Sequence, residues 1–196
     1  MAQVSRGTPM GELFRRFWLP VIVPEQLGGP DGDPIRIRVL GEDLVAFRDT
    51  NGKVGLLSRY CPHRGASLFF GRNEENGLRC VYHGWKFDVN GECVDMPNEP
   101  AECSFKHKIR QTAYPTREAG GVIWAYMGPQ EIMPELPELE WTLVPQNHVY
   151  VHKRFQHCNY LQNVEGEVDS SHVSFLHREF RPEKFNAAVA GQVLLA

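Results

Sequence analysis

The sequence predicts a mainly β N-terminal domain, a small antiparallel sandwich or barrel, followed by the start of an α+β domain. Three observations predict it. Apolar and polar residues alternate from Pro34 onward, Asn-Gly pairs at Asn51-Gly52 and Asn90-Gly91 separate apolar runs, and helical periodicity is almost absent between residues 35 and 127.

Taken in order, Thr8-Pro9 followed by Met10 to Trp18 predicts a short helix, with Thr8 as N-cap, Pro9 at the first helical position and Pro20 as terminator. Ile35, Ile37 and Val39 alternate with Arg36 and Arg38 as a strand, and Leu44 to Phe47 continues as another. Asn51-Gly52 predicts a hairpin between Phe47 and Val54, and Asn90-Gly91 one between Phe87 and Val94. Gly121 to Tyr126 reads as a buried strand that closes the series. Pro129, Pro134, Pro137 and Pro145, interleaved with Glu131, Glu135, Glu138 and Glu140, predict an irregular connection. Beyond it, His148 to Phe155 reads as a strand and Asn159 to about His172 as a helix. The expected division is a helical segment at 1–19, a β domain at 20–130, a connection at 131–146 and an incomplete second domain at 147–196.

Composition narrows the function classes. A formal net charge of -3 over 196 residues gives no field that would draw the chain onto nucleic acid or an anionic membrane. No apolar run approaches the ~20 residues of a membrane span, and residues 1–20 hold no continuous apolar signal core, so a cytoplasmic location is expected. In such a setting five cysteines suggest thiolate chemistry or inert thiols rather than a disulfide framework.

Two of those cysteines stand beside histidines, in Cys61-Pro62-His63 and Cys80-Val81-Tyr82-His83. Two thiolates and two imidazoles suit either a tetrahedral zinc ion or a [2Fe–2S] cluster with both cysteines on one iron and both histidines on the other. Zinc fingers place their histidines together on a helix, whereas here each loop carries one donor of each kind, as an asymmetric cluster requires. Cys93, Cys103 and Cys158 read as unpaired thiols. His107, His148, His152 and His157 read as ordinary polar or core residues, and Trp85, Trp124 and Trp141 as packing residues.

A second group lies downstream. Asp169 and His172 are three apart, so on a helix the carboxylate would accept the imidazole's second N–H. His172 and His177 are five apart and would diverge on a regular helix, so shared metal binding requires the helix to end or distort between them. Two imidazoles plus a carboxylate make the facial triad of non-haem Fe(II) oxygenases.

The segments Cys61-Pro62-His63-Arg64-Gly65-Ala66 and Cys80-Val81-Tyr82-His83-Gly84-Trp85-Lys86-Phe87 resemble the two cluster loops of Rieske oxygenases. Asp169-x-x-His172-x-x-x-x-His177 resembles the mononuclear iron segment of ring-hydroxylating oxygenase α-subunits. Gly7-Thr8-Pro9-Met10-Gly11-Glu12-Leu13 is most similar to the phthalate 4,5-dioxygenase branch. The resemblance implies a Rieske [2Fe–2S] cluster on Cys61, His63, Cys80 and His83, and a mononuclear Fe(II) on His172 and His177. It also implies that Asp169 bridges the histidine matching His83 in a neighbouring subunit to His172. Neither loop has the extra cysteine of the cytochrome-bc type, so a potential low in the ~ −150 to +300 mV Rieske range is implied. Implied partners are a flavin or iron–sulfur reductase, a small aromatic substrate with O₂, and further copies of the chain in a homotrimer. The family's third iron ligand is a carboxylate far downstream, and Glu179 and Glu183 are the carboxylates after His177, so a C-terminally truncated member is expected. The alternatives are a Rieske ferredoxin-like electron carrier, for which residues 20–130 would suffice, and a zinc-stabilised binding module.

Overall fold

The structure, a computed structural model, describes residues 2–100, 102 and 105–178; Cys103, Glu179, Glu183 and the apolar end Val189 to Ala196 lie outside the described residues. The chain forms two compact units, one over Gln3–Lys153 and one beginning at Arg154.

In the first unit the described strands are β1 (Trp18–Ile22), β2 (Ile35–Val39), β3 (Glu42–Arg48), β4 (Val54–Ser58), β5 (Arg72–Glu74), β6 (Gly77–Arg79), β7 (Lys86–Phe87), β8 (Cys93–Asp95), β9 (Thr116–Ala119) and β10 (Val122–Tyr126). They make three antiparallel sheets, ordered β1-β10-β9, β2-β3-β4 and β5-β6-β7-β8. The expected β architecture is therefore present, and both Asn-Gly pairs turn hairpins. Gly52 and Gly91 adopt φ of 80° and 81°, the left-handed region that a glycine enters without a Cβ penalty. β10 is buried along its whole length as the middle strand of its sheet.

Two expectations are corrected. The first helix, α1 (Pro9–Phe14), has the predicted Thr8 cap, whose side chain accepts from the Gly11 N–H, but it ends at Phe14. Trp18 to Ile22 form β1 instead, with Trp18 opposite Tyr126 and Pro20 opposite Trp124. Pro20 is tolerated because β1 is an edge strand whose register shifts between Pro20 and Ile22. Residues 149–155 form no strand: among the described residues they pair with no ladder, and Tyr150 and Phe155 are exposed. The proline- and glutamate-rich stretch is irregular as expected, yet it packs on the β1-β10-β9 sheet. Met133, Leu136 and Leu139 cover Trp18, Trp124 and Tyr126, and the Trp18 indole donates to the Pro134 carbonyl at 2.9 Å.

The core is divided. One cluster, around Ile22, Leu44, Leu56 and Ile123, joins the first two sheets. Another, around Phe47, Leu57, Leu78 and Phe87, lies under the four-stranded sheet and includes Cys61, Cys80 and Cys93.

A polar network ties the N-terminal segment to this body. Buried Arg15 pairs with Glu42 at 2.9 Å and donates to the Leu40 carbonyl, the Tyr114 hydroxyl donates to Glu42, and Arg6 donates to Tyr114. Burial, and then the neighbouring Glu42 carboxylate, push the Tyr114 phenol up to about 12. In the unfolded chain that proton leaves near pH ~10. The stabilisation is therefore complete below about pH 10 and is lost as pH rises toward about 12. Denaturant unfolding at about pH 8 and about pH 11 is expected to show a smaller alkaline loss in Tyr114→Phe than in the parent, the variant lying about 1 kcal/mol below the parent at about pH 8 and closer to it at about pH 11. Equal losses would assign the alkaline sensitivity to other groups.

Candidate metal centre

The two Cys/His loops have the same internal construction. In the first, the Cys61 N–H donates to the Ala66 carbonyl at 2.8 Å and the Gly65 N–H to the Cys61 carbonyl at 2.9 Å. In the second, the Cys80 N–H donates to the Trp85 carbonyl at 2.8 Å and the Gly84 N–H to the Cys80 carbonyl at 3.0 Å. Each loop closes on a left-handed glycine, Gly65 at φ 70° and Gly84 at φ 76°; a Cβ on Gly84 would also meet the Pro97 ring at 2.6 Å. The sequence repeat of cysteine, histidine and glycine is thus a repeat of backbone geometry.

These loops bring like donors together. Cys61 and Cys80 are 3% and 2% exposed and lie within hydrogen-bonding reach of each other. The backbone N–H groups of His63 and Arg64 point at the Cys61 sulfur. Burial, more than the proximity of Cys80, pushes the Cys61 thiol up to about 11. The His63 and His83 rings meet edge-on with centroids 4.4 Å apart. His63 lies flat on Trp85, 4.4 Å away and 9° from parallel, and its Nδ1 is buried without a hydrogen-bond partner. Burial first, then the His63 and Arg64 charges, hold the His83 imidazole below its ordinary value, which favours the neutral, metal-binding form.

An orphaned imidazole nitrogen, two adjoining sulfurs in a dry core and amides aimed at sulfur fit a [2Fe–2S] cluster. Thiols and imidazoles are segregated pairwise, as a [2Fe–2S] cluster with one pair on each iron would need.

Sequence reasoning missed the residues that hold the loops. Gln111, 6% exposed, donates to the Ser58 and Tyr60 carbonyls at 3.1 and 2.7 Å, at the entrance of the first loop. Arg79 donates to the Gly84 carbonyl in the second loop at 2.8 Å, and to Asp95 and Glu74 at 2.7 and 2.6 Å. Its guanidinium holds both carboxyls below their ordinary range. No spacing rule marks a side chain whose task is to donate to a carbonyl; an arginine next to a ligand-type cysteine is the only hint.

The second unit holds Asp169, His172 and His177. The expected helix to His172 is shorter: α2 runs over Tyr160–Val168, capped by Asn159, whose side chain accepts from the Leu161 and Gln162 N–H groups. Asp169 leaves the helical region because its Oδ1 accepts from the N–H and hydroxyl of Ser171, a local bond that competes with helix continuation. Its Oδ2 lies 3.2 Å from His172 Nδ1. The Asp169–His172 contact therefore spans a turn rather than a helix face. One helical turn, α3 (Val173–Leu176), separates the histidines, and their ring centroids are 5.3 Å apart. The break lies ahead of both histidines, at Asp169, while the single turn between them is helical and stops at His177; the rings nevertheless come together, and with Asp169 they fit two imidazole ligands and an orienting carboxylate. Ser171, too, went unnoticed in the sequence.

Comparison with known proteins agrees with this geometry. Residues 17–115 match the Rieske [2Fe-2S] domain family, and residues 125–194 match the family described as LigXa C-terminal domain like. The chain is 48% identical over 204 residues to the 3-chlorobenzoate-3,4-dioxygenase oxygenase subunit of Comamonas testosteroni, covering 100% of this chain and 47% of that protein. It is 49% identical over 193 residues to the phthalate 4,5-dioxygenase oxygenase subunit of Pseudomonas putida, covering 97% and 44%. The chain thus spans about half the length of the curated relatives it matches. Among solved structures, dicamba monooxygenase bound to 3,6-dichlorosalicylic acid is similar with a TM-score of 0.65 and 27% identity, covering 84% of this chain and 47% of that one.

Proposed function

This chain belongs to the Rieske [2Fe–2S] family, in its ring-hydroxylating oxygenase branch, and on that premise we propose that it serves as the oxygenase component of an aromatic ring-hydroxylating or O-demethylating system. When bound, the [2Fe–2S] cluster supplies one-electron transfer and a mononuclear Fe(II) supplies O₂ activation. The observation that carries the reading is the pairing of Cys61 with Cys80 and of His63 with His83 by two loops of matching hydrogen bonding.

In this reading Cys61 and Cys80 hold the inner iron, His63 and His83 the outer one, and His172 and His177 the mononuclear iron. Asp169 keeps His172 in one tautomer by accepting its Nδ1–H, leaving Nε2 for the metal, and serves as the bridge to His83 of a neighbouring copy. Exposed Tyr82 and Val81, beside His83, offer an apolar contact for a redox partner, and a flavin or iron–sulfur reductase is that partner. The substrate is a small aromatic compound, the assembly a homotrimer and the compartment the cytoplasm; among the described residues no helix is long and apolar enough to cross a membrane.

Iron and acid-labile sulfide per chain, with EPR of the dithionite-reduced protein prepared without oxygen, test the proposal. About two irons and two sulfides with a Rieske-type spectrum are expected from the first unit. One zinc and no sulfide would overturn it.

A further inference from the structure

The second cluster loop is held by a charge that does not itself ligate. We propose that Arg79 is a positioning residue for the [2Fe–2S] centre: its guanidinium fixes the Gly84 carbonyl, and its positive charge raises the reduction potential. The proposal rests on the cluster assignment above and adds the residue that tunes it.

Arg79 closes β6 and immediately precedes Cys80. Its side chain is 12% exposed. One Nη1 bonds both the Gly84 carbonyl and Asp95 Oδ2, and Nε bonds Glu74 Oε1. The acceptors come from β5, from β8 and from the loop itself, so a planar fork joins the cluster loop to two strands of its sheet. A lysine ammonium, a single point on a flexible stem, does not span three acceptors in those directions. The bonded carbonyl belongs to the residue that follows His83 and whose N–H closes the loop onto Cys80. A displaced Gly84 would move both donors of the second loop.

Charge is the second effect. Buried Lys86 pairs with Glu75 at 2.8 Å and Arg72 with Glu74 at 3.3 Å, so with Arg79 three cations balance Glu74, Glu75 and Asp95 beside the loop. Reduction adds one negative charge to the cluster, and a nearby cation stabilises the reduced form. Removing Arg79 leaves the carboxylates in excess and disfavours reduction; neutralising Glu74 and Asp95 does the opposite. The short chain path from Arg79 to Cys80 and its low exposure limit screening by solvent.

The test uses the 196-residue chain, purified anaerobically with its cluster, and reads iron, sulfide, EPR and midpoint potential in Arg79→Met, Arg79→Lys and Glu74→Gln/Asp95→Asn. Arg79→Met is expected to lose cluster content and to shift the midpoint of the loaded fraction negative by a roughly tenfold change in the reduction equilibrium, ~59 mV for one electron. Arg79→Lys is expected to keep the parent midpoint but to broaden the EPR spectrum, because charge persists while the fork is lost. Glu74→Gln/Asp95→Asn, which keeps Arg79, is expected to shift positive, and it remains informative if Arg79→Met does not fold. Unchanged midpoints and spectra in Arg79→Lys and the double variant would overturn the role of Arg79. A parent chain without iron and sulfide would instead overturn the cluster assignment, and the role of Arg79 with it.

Discussion

Replacing Cys80 with serine is expected to remove the cluster entirely, taking iron and acid-labile sulfide from about two each per chain to near zero and abolishing the Rieske EPR signal. The sulfur sits in a dry core, 2% exposed, beside Cys61. A serine hydroxyl there is a far weaker acid than a thiol and does not supply the second thiolate. The loop itself should survive, because the bonds from Cys80 N–H to Trp85 and from Gly84 N–H to Cys80 are backbone bonds that ignore the side chain. Unfolding free energy of the apoprotein should fall by about 1–3 kcal/mol, the cost of a buried hydroxyl without a good partner. Cys93→Ser is the control. Cys93 belongs to the same buried cluster, and burial pushes its thiol up to about 11 as it does that of Cys61, but its sulfur meets the backbone of Asp95 and Lys86 where that of Cys61 meets a second cysteine. Iron and sulfide should stay at parent level in Cys93→Ser. Equal loss in both variants would mean that burial, not ligation, explains the result, and the assignment of Cys80 would fail.

How much of this was legible in the sequence depended on how local each cause is. The hairpins at Asn51-Gly52 and Asn90-Gly91 were legible because the turn is written in adjacent residues, and the cluster loops because donor type and spacing lie within a few positions. β1 was not. Trp18 pairs with Tyr126, more than a hundred residues away, and a local reading saw only a capped helix stopped by Pro20. Residues 149–155 erred the other way: their local pattern suits a strand, but a strand is completed by a neighbour and none of the described residues provides one. The break at Asp169 was legible in principle, since Asp-x-Ser favours a side-chain turn over helix, but the i,i+3 spacing to His172 suits a helix and a turn alike. Arg79 and Gln111 remained hidden because their partners are carbonyls, which every residue has.

Asp169→Asn separates an oxygenase from a simple electron carrier, and in the full-length protein it should leave the [2Fe–2S] content unchanged while coupled substrate oxygenation falls by about 10–100-fold or more. Asp169 uses its two oxygens differently: Oδ1 accepts from the Ser171 N–H and hydroxyl, and Oδ2 faces His172 Nδ1. The Ser171 bonds, ahead of His172, hold the carboxyl below its ordinary range, so it is ionised and acceptor-only at neutral pH. An asparagine can keep the Ser171 bonds through its carbonyl oxygen. It then presents an NH₂ to His172 Nδ1, which favours the opposite tautomer and withdraws Nε2 from the metal. The lesion is thus confined to the imidazole, which is why this variant is more informative than Asp169→Ala. His172→Ala sets the limit: a third iron, if loaded in the parent, should be absent, with two irons and two sulfides retained. Asp169→Asn should lie between the two, binding iron more weakly at fixed free Fe(II) and consuming reducing equivalents without stoichiometric product. Turnover and iron content equal to the parent would refute the bridging and orienting role, leaving the turn at Asp169 as a helix stop and nothing more.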